Sequence, residues 1–232
     1  MGFFDVATAS VTTLLRGGLG MSTGAVGPRP EKPLVLYEFE GCPFCRKARE
    51  ALSILDLEAE IRPCPKRGHR YRDALIERGG KAQFPYLIDP NTGREMYESG
   101  DIVDYLYAEY GEGRAPALLR GGPGATIAVA LSGIGRGPAG AFVRASKAPA
   151  EPLELYSFEA SPFCRLVRER LCELELPYRL HNVARGSARR EAFVARSGKM
   201  QVPYLVDPNA GIEMFESADI LAYLEETYGL EA

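Results

Sequence analysis

The sequence predicts an α/β protein built from two tandem copies of one unit, with the element order βαβ followed by αββα. Two observations lead to this prediction. Residues 36–46 reappear in closely similar form as residues 155–165, and residues 81–111 reappear as residues 199–229 with 19 identities in 31 positions. The offsets of 119 and 118 residues are close to half of the 232-residue chain. Solenoid repeats recur every ~20–50 residues, so these copies are domains rather than stacked repeats.

Each unit is predicted to open with a short strand that leads directly into a helix. Apolar, strand-like runs occupy residues 34–37 and 153–156. Pro43 and Pro162 follow, and proline is tolerated in the first turn of a helix. Apolar residues then recur at helical spacing, at Ala48, Leu52, Leu55, Val167, Leu171 and Leu174.

The remaining elements follow in the same order in both copies. A Pro-Tyr-Leu strand runs into an Asp-Pro-Asn turn, and a short strand returns from that turn. Ser99 and Ser217 then stand where the last helix should begin, and serine is a preferred N-cap. The predicted bounds are second strands at 59–62 and 178–181, second helices at 70–78 and 189–196, and returning strands at 95–97 and 213–215.

Composition divides the chain into four segments. Residues 111–140 hold nine glycines and three prolines, and a short apolar helix is predicted inside them at 126–131. The first 30 residues resemble residues 111–140, which favours a structural arm at the start of the chain. The alternative is a remnant of a plastid or other transit peptide, because Asp5 is the only acidic residue among these 30. The predicted segments are an N-terminal arm (1–30), a first unit (31–115), a Gly/Pro-rich connector (116–150) and a second unit (151–232).

Charge and composition exclude several classes of protein. With 28 basic and 31 acidic side chains the net charge is −3, which argues against a nucleic-acid partner. No apolar run reaches the ~18 residues of a membrane span, so no membrane partner is expected. Five cysteines without a secretory signal favour a reducing compartment, cytoplasmic or plastid, over a disulfide scaffold. With only two histidines, a histidine-rich metal site is excluded, and no metal site is predicted.

The sequence Cys42-Pro-Phe-Cys45 carries the strongest chemical signal of the chain. It follows a strand and opens a helix, where free N–H groups and the helix dipole favour a thiolate. Cys42 is therefore the predicted nucleophile, at the exposed end of the helix, and Cys45 lies one turn inward, placed to resolve a mixed disulfide. Arg46 and Lys47 are expected to add positive charge nearby. A structural zinc half-site is the alternative, but zinc needs four ligands and no second Cys-x-x-Cys exists.

Three motifs together resemble the glutaredoxin and glutathione S-transferase N-terminal domain family: Cys-Pro-Phe-Cys, Phe84-Pro85-Tyr86 and Glu98-Ser99. The doubled arrangement is similar to glutathione transferase-like proteins made of two tandem thioredoxin domains. The resemblance implies two tandem thioredoxin-like (βαβ-αββα) domains with no all-helical transferase C-terminal domain.

The resemblance also implies a glutathione site in each unit. It implies that Pro85 and Pro203 are cis, so that the backbone before each proline pairs with the cysteinyl part of glutathione. The Glu-Ser pairs would hold the γ-glutamyl end, although the serines could equally serve only as helix caps. Arg67, which aligns with Arg185, is either a contact for the glycine carboxylate or a solvated surface residue. The implied glutathione-binding residues are Phe84, Pro85, Glu98, Ser99, Val202, Pro203, Glu216 and Ser217.

The second unit differs at its first cysteine, where Ser161 stands. A hydroxyl cannot form a disulfide, so Ser161 either stabilises the thiolate of bound glutathione, as in serine-type transferases, or marks a site that has decayed into a packing partner. Cys164 is expected to be a buried apolar residue. Cys64, aligned with Asn182, and Cys172, aligned with Ser53, are expected to be spectators.

Three functions are compatible with these residues. The leading one is a glutathione-dependent thiol–disulfide oxidoreductase, a thioltransferase or deglutathionylase that uses Cys42, with Cys45 as the resolving residue. The second is a glutathione transferase that conjugates electrophiles through glutathione activated by Ser161. The third is a non-catalytic module that binds glutathione or an iron–sulfur cluster. The expected partners are glutathione with thiol, disulfide or electrophilic substrates, and a homodimer stays open as an assembly.

Overall fold

The computed structural model describes residues 3–24, 26–120 and 136–230, and the predicted element order is confirmed in both units. A helix, α1 (Phe3–Leu15), precedes the first unit and was not predicted. The helix predicted at 126–131 lies outside the described residues. The first unit and the short helix after it contain β1 (Leu34–Glu38), α2 (Pro43–Ile54), β2 (Ala59–Pro63), α3 (Arg72–Gly79), β3 (Tyr86–Asp89), β4 (Arg94–Met96), α4 (Ser99–Tyr110) and α5 (Ala117–Arg120).

The second unit repeats this order with nearly identical element lengths. Its elements are β5 (Leu153–Ser157), α6 (Pro162–Glu173), β6 (Tyr178–Asn182), α7 (Arg190–Ser197), β7 (Tyr204–Asp207), β8 (Ile212–Met214) and α8 (Ser217–Tyr228). Within each unit the first two strands are parallel and the last two are antiparallel. Among the helices of the described residues, none is long and apolar enough to cross a membrane.

The two units share one continuous sheet of eight strands, in the order β4-β3-β1-β2-β6-β5-β7-β8. The join is an antiparallel pairing of β2 with β6, in which Ala59 lies opposite Leu180 and Ile61 lies opposite Tyr178. Each of these strands is the outer strand of its own unit. Their pairing therefore removes two open sheet edges, which would otherwise invite association with other chains.

The N-terminal arm and the connector cross over between the units. Helix α1 packs against α6 of the second unit, and the arm continues along that unit, where Thr23 N–H donates to Arg185 O at 2.8 Å. The connector lies instead on the first unit, where Lys66 N–H donates to Ala141 O at 2.7 Å. Each unit is thus bound by the segment that precedes the other one.

Buried charged side chains join α2 to α6 across the interface. Arg49 Nε lies 3.1 Å from Glu159 Oε2, and Arg168 Nε lies 3.1 Å from Glu40 Oε2. Arg49 also reaches Glu40 at 3.1 Å, and Arg168 reaches Glu159 at 3.0 Å. Both glutamates stand two residues before a predicted site residue, Cys42 or Ser161, so this charge cluster ties together the two loops that lead into the candidate sites.

Candidate thiol site and its counterpart in the second unit

Cys42 is the N-cap of α2. Its backbone is extended (φ −83°, ψ 119°), Pro43 fills the first helical position, and Cys42 Sγ accepts a hydrogen bond from Cys45 N–H at 3.3 Å. An N-cap side chain normally satisfies one of the free N–H groups of the first turn, and here a sulfur does so. The sequence therefore places a sulfur, rather than a hydroxyl, at the positive end of the helix.

The two cysteines of the motif differ in their acidity. Hydrogen bonding from the Cys45 thiol lowers the pKa of Cys42 below its ordinary value, against the opposing effect of burial, and the N–H groups of Cys45 and Phe44 add to the lowering. Burial, followed by the hydrogen bond to Cys42, raises the pKa of Cys45 well above its ordinary value. The site therefore favours a thiolate at Cys42 and a protonated thiol at Cys45.

The expectation that Cys42 lies at an exposed end is wrong, because Cys42 is only 5% exposed; Cys45 is fully buried. The connector lies against the loop before Cys42, where Gly41 N–H donates to Gly140 O at 3.1 Å. Phe44, the residue between the two cysteines, remains 49% exposed.

The positive charges expected beside Cys42 face elsewhere. Arg46 is buried and pairs with Glu50 at 3.1 Å and with Glu159 at 3.7 Å. Lys47 is also buried, and burial lowers its pKa. Arg46 therefore belongs to the interface between the units, and the shift at Cys42 comes from hydrogen bonds rather than from a neighbouring cation.

Both predicted cis-proline bonds are confirmed, at Phe84-Pro85 and Val202-Pro203. The ring of Phe84 lies against Phe39, with 6.0 Å between the ring centroids. The guanidinium carbon of Arg72 lies 4.5 Å from the centroid of the Phe84 ring, and Arg72 Nε also donates to Pro65 O at 2.7 Å. These contacts fix the segment that the resemblance assigns to the cysteinyl part of glutathione.

The prediction that Ser99 is the N-cap of α4 is wrong. Ser99 is the first helical residue rather than the N-cap, because Glu98 before it adopts a left-handed backbone (φ 65°, ψ 115°) and makes no side-chain cap. Glu216 and Ser217 repeat this arrangement at α8, with φ 64° at Glu216. A non-glycine residue in this region carries local strain, and such strain concentrates at binding sites.

Gln83 is not among the predicted site residues, yet its Nε2 donates to Glu98 Oε1. Gln201 makes the same bond to Glu216 in the second unit. The signal was present in the sequence, since both glutamines lie two residues before a cis proline in the repeated Gln-x-Pro-Tyr-Leu. This glutamine holds the carboxylate of the Glu-Ser pair beside the cis-proline segment.

Ser161 reproduces the geometry of Cys42 in the second unit. It is the N-cap of α6, and its Oγ accepts a hydrogen bond from Cys164 N–H at 3.3 Å. Cys164 is fully buried, as predicted, and burial raises the pKa of its thiol. At this end of the second unit lies a cavity of about 260 Å³, lined by Phe163, Gln201, Val202, Pro203, Glu216 and Ser217.

The backbone corrects two alignments between the units. Cys64 corresponds to Val183 rather than to Asn182, because Cys64 N–H donates to Glu38 O at 2.6 Å and Val183 N–H donates to Ser157 O at 2.9 Å. Both residues are buried in equivalent small clusters, so the sulfur of Cys64 packs where a valine packs.

Arg67 likewise does not correspond to Arg185. It matches Gly186, since both follow the second strand and both have positive φ, at 67° and 86°. Lys66 is the counterpart of Arg185, and each pairs through its backbone with one of the crossing segments. Arg67 is exposed, and its guanidinium carbon lies 5.7 Å from the ring centroid of Phe142 on the connector. The role of Arg67 toward a glycine carboxylate stays a prediction.

Comparison with known proteins agrees with the doubled architecture. Residues 36–123 and 155–232 both match the family of the glutathione S-transferase N-terminal domain. A curated relative, the glutathione S-transferase-like protein OpS6 of Beauveria bassiana (strain ARSEF 2860), is 35% identical over 78 residues, which cover 34% of this chain and 36% of the relative. No solved structure matches the chain. Because the family match covers most of the sequence, the chain belongs to the glutathione S-transferase N-terminal domain family and carries that domain twice, as two tandem thioredoxin-like domains.

Proposed function

We propose that this protein is a glutathione-dependent thiol–disulfide oxidoreductase whose nucleophile is Cys42. The observation that supports this most directly is the position of Cys42 Sγ, which caps α2 and accepts the Cys45 N–H at 3.3 Å. Hydrogen bonding from Cys45 favours its thiolate form, and the thiolate is the reactive species in disulfide exchange. The family adds glutathione as the expected co-substrate.

The proposed reaction consists of two successive thiol–disulfide exchanges. The Cys42 thiolate attacks the glutathione sulfur of a mixed disulfide, the substrate leaves as a thiolate and takes a proton from water, and Cys42 becomes glutathionylated. The thiolate of a second glutathione then attacks the glutathione sulfur on Cys42. Oxidised glutathione leaves, and the Cys42 thiolate is regenerated.

Cys45 offers a second route for the same intermediate. After losing its proton, Cys45 attacks Cys42 Sγ and expels glutathione as a thiolate, which leaves a Cys42–Cys45 disulfide. Burial raises the pKa of Cys45 well above its ordinary value, so this route is slow at neutral pH. Exchange through Cys42 alone is therefore the faster pathway.

The residues around Cys42 position the tripeptide. The backbone beside the cis bond of Phe84-Pro85 offers strand-like hydrogen bonds to its cysteinyl part. Glu98 binds the α-ammonium group of the γ-glutamyl end, and Ser99, at the N-terminus of α4, binds the neighbouring carboxylate. Gln83 orients Glu98 for this contact.

The test is an exchange assay on a glutathionylated peptide, with glutathione as reductant. Cys42→Ser is expected to abolish turnover, because no other residue supplies the thiolate. Cys45→Ser is expected to retain it, because exchange through Cys42 alone needs only one sulfur. Retention of activity in Cys42→Ser would remove Cys42 as the nucleophile.

A second candidate function rests on the cavity at the Ser161 end of the second unit. That cavity of about 260 Å³ is bordered by Val202, Pro203, Glu216 and Ser217, the residues implied for glutathione binding in the second unit. There the Ser161 hydroxyl would donate to the glutathione thiolate and promote its attack on an electrophile. Conjugation of a chlorinated aromatic compound measures this activity.

Single substitutions separate the two functions. Ser161→Ala is expected to lower conjugation by about 100-fold, as for loss of a donor to a developing anion. Cys42→Ser should leave conjugation intact. If the wild-type protein lacks both activities while calorimetry still detects glutathione binding, the protein is a binding module. A brown colour on purification would identify that module as a carrier of an iron–sulfur cluster.

A further inference from the structure

We propose that Glu38 is a positioning residue that makes the Cys42–Cys45 pair more reducing, by placing a buried negative charge between the end of β1 and the face of α2 that carries Cys45. This inference rests on the proposed thiol–disulfide function. It assigns a role to a carboxylate that none of the sequence motifs contains.

The position of Glu38 follows from the strand-to-helix geometry of the first unit. Glu38 is the last residue of β1, is 1% exposed, and its carboxylate bonds Arg49 Nη1 on α2. Arg49 lies four residues after Cys45, so the two side chains share one face of α2, one turn apart. The backbone of Phe39, directly after Glu38, opposes the rise in the pKa of Cys45. The carboxylate thus lies between the end of the strand and the helix face that carries the second sulfur.

The second unit provides an internal comparison. Ser157 stands where Glu38 stands, and its buried hydroxyl has no hydrogen-bond partner among the described residues. Arg168, the counterpart of Arg49, pairs with Glu40 and Glu159, and its Nη1 has no partner among the same residues. The arginine therefore keeps two ion pairs without a carboxylate on the strand. The additional glutamate occurs only in the unit that has two cysteines in its motif.

Glu38 is surrounded by other ionisable groups from both units. Burial raises its pKa to about 7, with Arg49 opposing the shift and Glu40 and Glu159 adding to it. Glu38 is therefore partly ionised at neutral pH. The groups that face it are Arg49, Cys42 and Cys45 from α2 and its cap, Glu40 in the loop between β1 and α2, Glu159, Arg168 and Cys172 across the interface, Cys64 after β2, and Tyr178 on β6.

The charge of Glu38 acts on one redox state more than on the other. An ionised Glu38 raises the pKa of both Cys42 and Cys45, because a like charge nearby disfavours a thiolate. Two molecules of glutathione reduce the disulfide to a Cys42 thiolate and a Cys45 thiol, and leave as oxidised glutathione with release of one proton. Only the reduced form carries the thiolate, so Glu38 destabilises that form and favours the disulfide.

The experiment measures the equilibrium of the Cys42–Cys45 disulfide in glutathione buffers at pH 6, 7 and 8. Alkylation of free thiols followed by peptide mass spectrometry gives the fraction of the pair that is reduced. Glu38→Gln removes the charge, and Glu38→Ser copies the second unit. Glu60→Gln is the matched control, because Glu60 lies on the neighbouring strand and pairs with Arg62, outside this cluster.

At pH 8 both Glu38 variants are expected to lower the equilibrium constant for oxidation by about three- to tenfold, because loss of the charge lowers the pKa of Cys42. At pH 6, where Glu38 is protonated, the difference from the wild type should shrink. Glu60→Gln should match the wild type at every pH. An equilibrium constant unchanged by Glu38→Ser at pH 8 overturns the inference.

Failure of the inference is distinguishable from failure of the proposed function. If the wild type turns over the mixed disulfide but the Glu38 variants have the same disulfide equilibrium as the wild type, only the role of Glu38 is ruled out. A wild-type protein without exchange activity removes the proposed function. Should the Glu38 variants fail to fold, the wild-type titration decides, since its equilibrium should show an inflection near pH 7 from Glu38 besides that of Cys42.

Discussion

Ser53 and Cys172 occupy equivalent positions on α2 and α6 and make the same two hydrogen bonds across the interface. Ser53 Oγ donates to Gly20 O at 2.9 Å and accepts from Glu159 N–H at 3.3 Å. Cys172 Sγ donates to Gly140 O at 3.3 Å and accepts from Glu40 N–H at 3.4 Å. A hydroxyl and a thiol thus perform one structural task, which is to join a crossing segment to the loop before a site.

This equivalence predicts how substitutions of Cys172 behave. Cys172→Ser keeps both hydrogen bonds and should change the free energy of unfolding by less than about 0.5 kcal/mol. Cys172→Ala leaves Gly140 O and Glu40 N–H without partners and should cost about 1–2 kcal/mol. Urea unfolding followed by circular dichroism measures both. Equal losses in the two variants would show that the sulfur is needed for its own properties.

A second prediction concerns the connector at Gly140. Gly140 has φ +67°, and a Cβ there would lie 2.9 Å from Glu40 Cβ; Gly137 has φ +58° in the same loop but nothing within 4 Å of an added Cβ. Gly137→Ala therefore carries only the cost of the left-handed backbone. Gly140→Ala adds a collision, and it should lose a further ~1–3 kcal/mol of stability.

Activity provides a separate readout for the same pair of variants. Because Gly41 N–H donates to Gly140 O, displacement of the connector moves the loop that leads into Cys42. Gly140→Ala should therefore lower the exchange rate under conditions in which it is still folded, whereas Gly137→Ala should not. Equal rates in the two folded variants would separate the connector from the Cys42 site.

The local elements were predictable from the sequence because their signals are local. Pro43 after an apolar strand marks the start of α2, and the repeated Asp-Pro-Asn turn marks the end of β3. The pairing of β2 with β6 was not predictable, because the pattern of an edge strand does not identify its partner. Helix α1 was not predictable either, because its contact with α6 depends on the pairing of β2 with β6.

At the candidate site, the sequence predicted where the functional residues lie in the fold better than it predicted the contacts around them. The position of Cys42 at the start of a helix and the cis bond at Pro85 follow from motif and resemblance, and both are present. The bond of Gly41 in the loop before Cys42 depends on the connector, and the pairing of Arg46 with Glu159 depends on the second unit. Such contacts join residues about 100 positions apart in the chain, so no local spacing reveals them.

The stability of the protein should depend on pH through Glu38. Burial raises the pKa of Glu38 to about 7 in the folded chain, against about 4.3 when unfolded, so the folded state holds a proton that the unfolded state releases in this range. The contribution of this group is therefore fully present below about pH 4.3 and is lost as pH rises through 7. Relative to Glu38→Gln, the wild type should lose about 1–3 kcal/mol between pH 5 and pH 8.

Urea unfolding of both proteins at pH 5 and pH 8 measures this difference. Glu60→Gln serves again as control, because Glu60 is half exposed on the neighbouring strand. A difference between the wild type and Glu38→Gln that stays constant across this pH range would mean that Glu38 does not change its protonation on folding.

The two glutamines before the cis prolines allow a test of which unit binds the glutathione used in exchange. Gln83 Nε2 donates to Glu98 in the first unit, and Gln201 Nε2 donates to Glu216 in the second. Gln83→Ala frees the Glu98 carboxylate from its orienting bond, so the KM for glutathione should rise about three- to tenfold, as for the loss of one hydrogen bond. The kcat should change little, because the Cys42 sulfur and its cap are untouched.

Gln201→Ala makes the same chemical change 118 positions later and should leave this KM unaltered. If Gln201→Ala raises the KM and Gln83→Ala does not, the glutathione that serves Cys42 binds at the second unit, and the two sites act on one substrate.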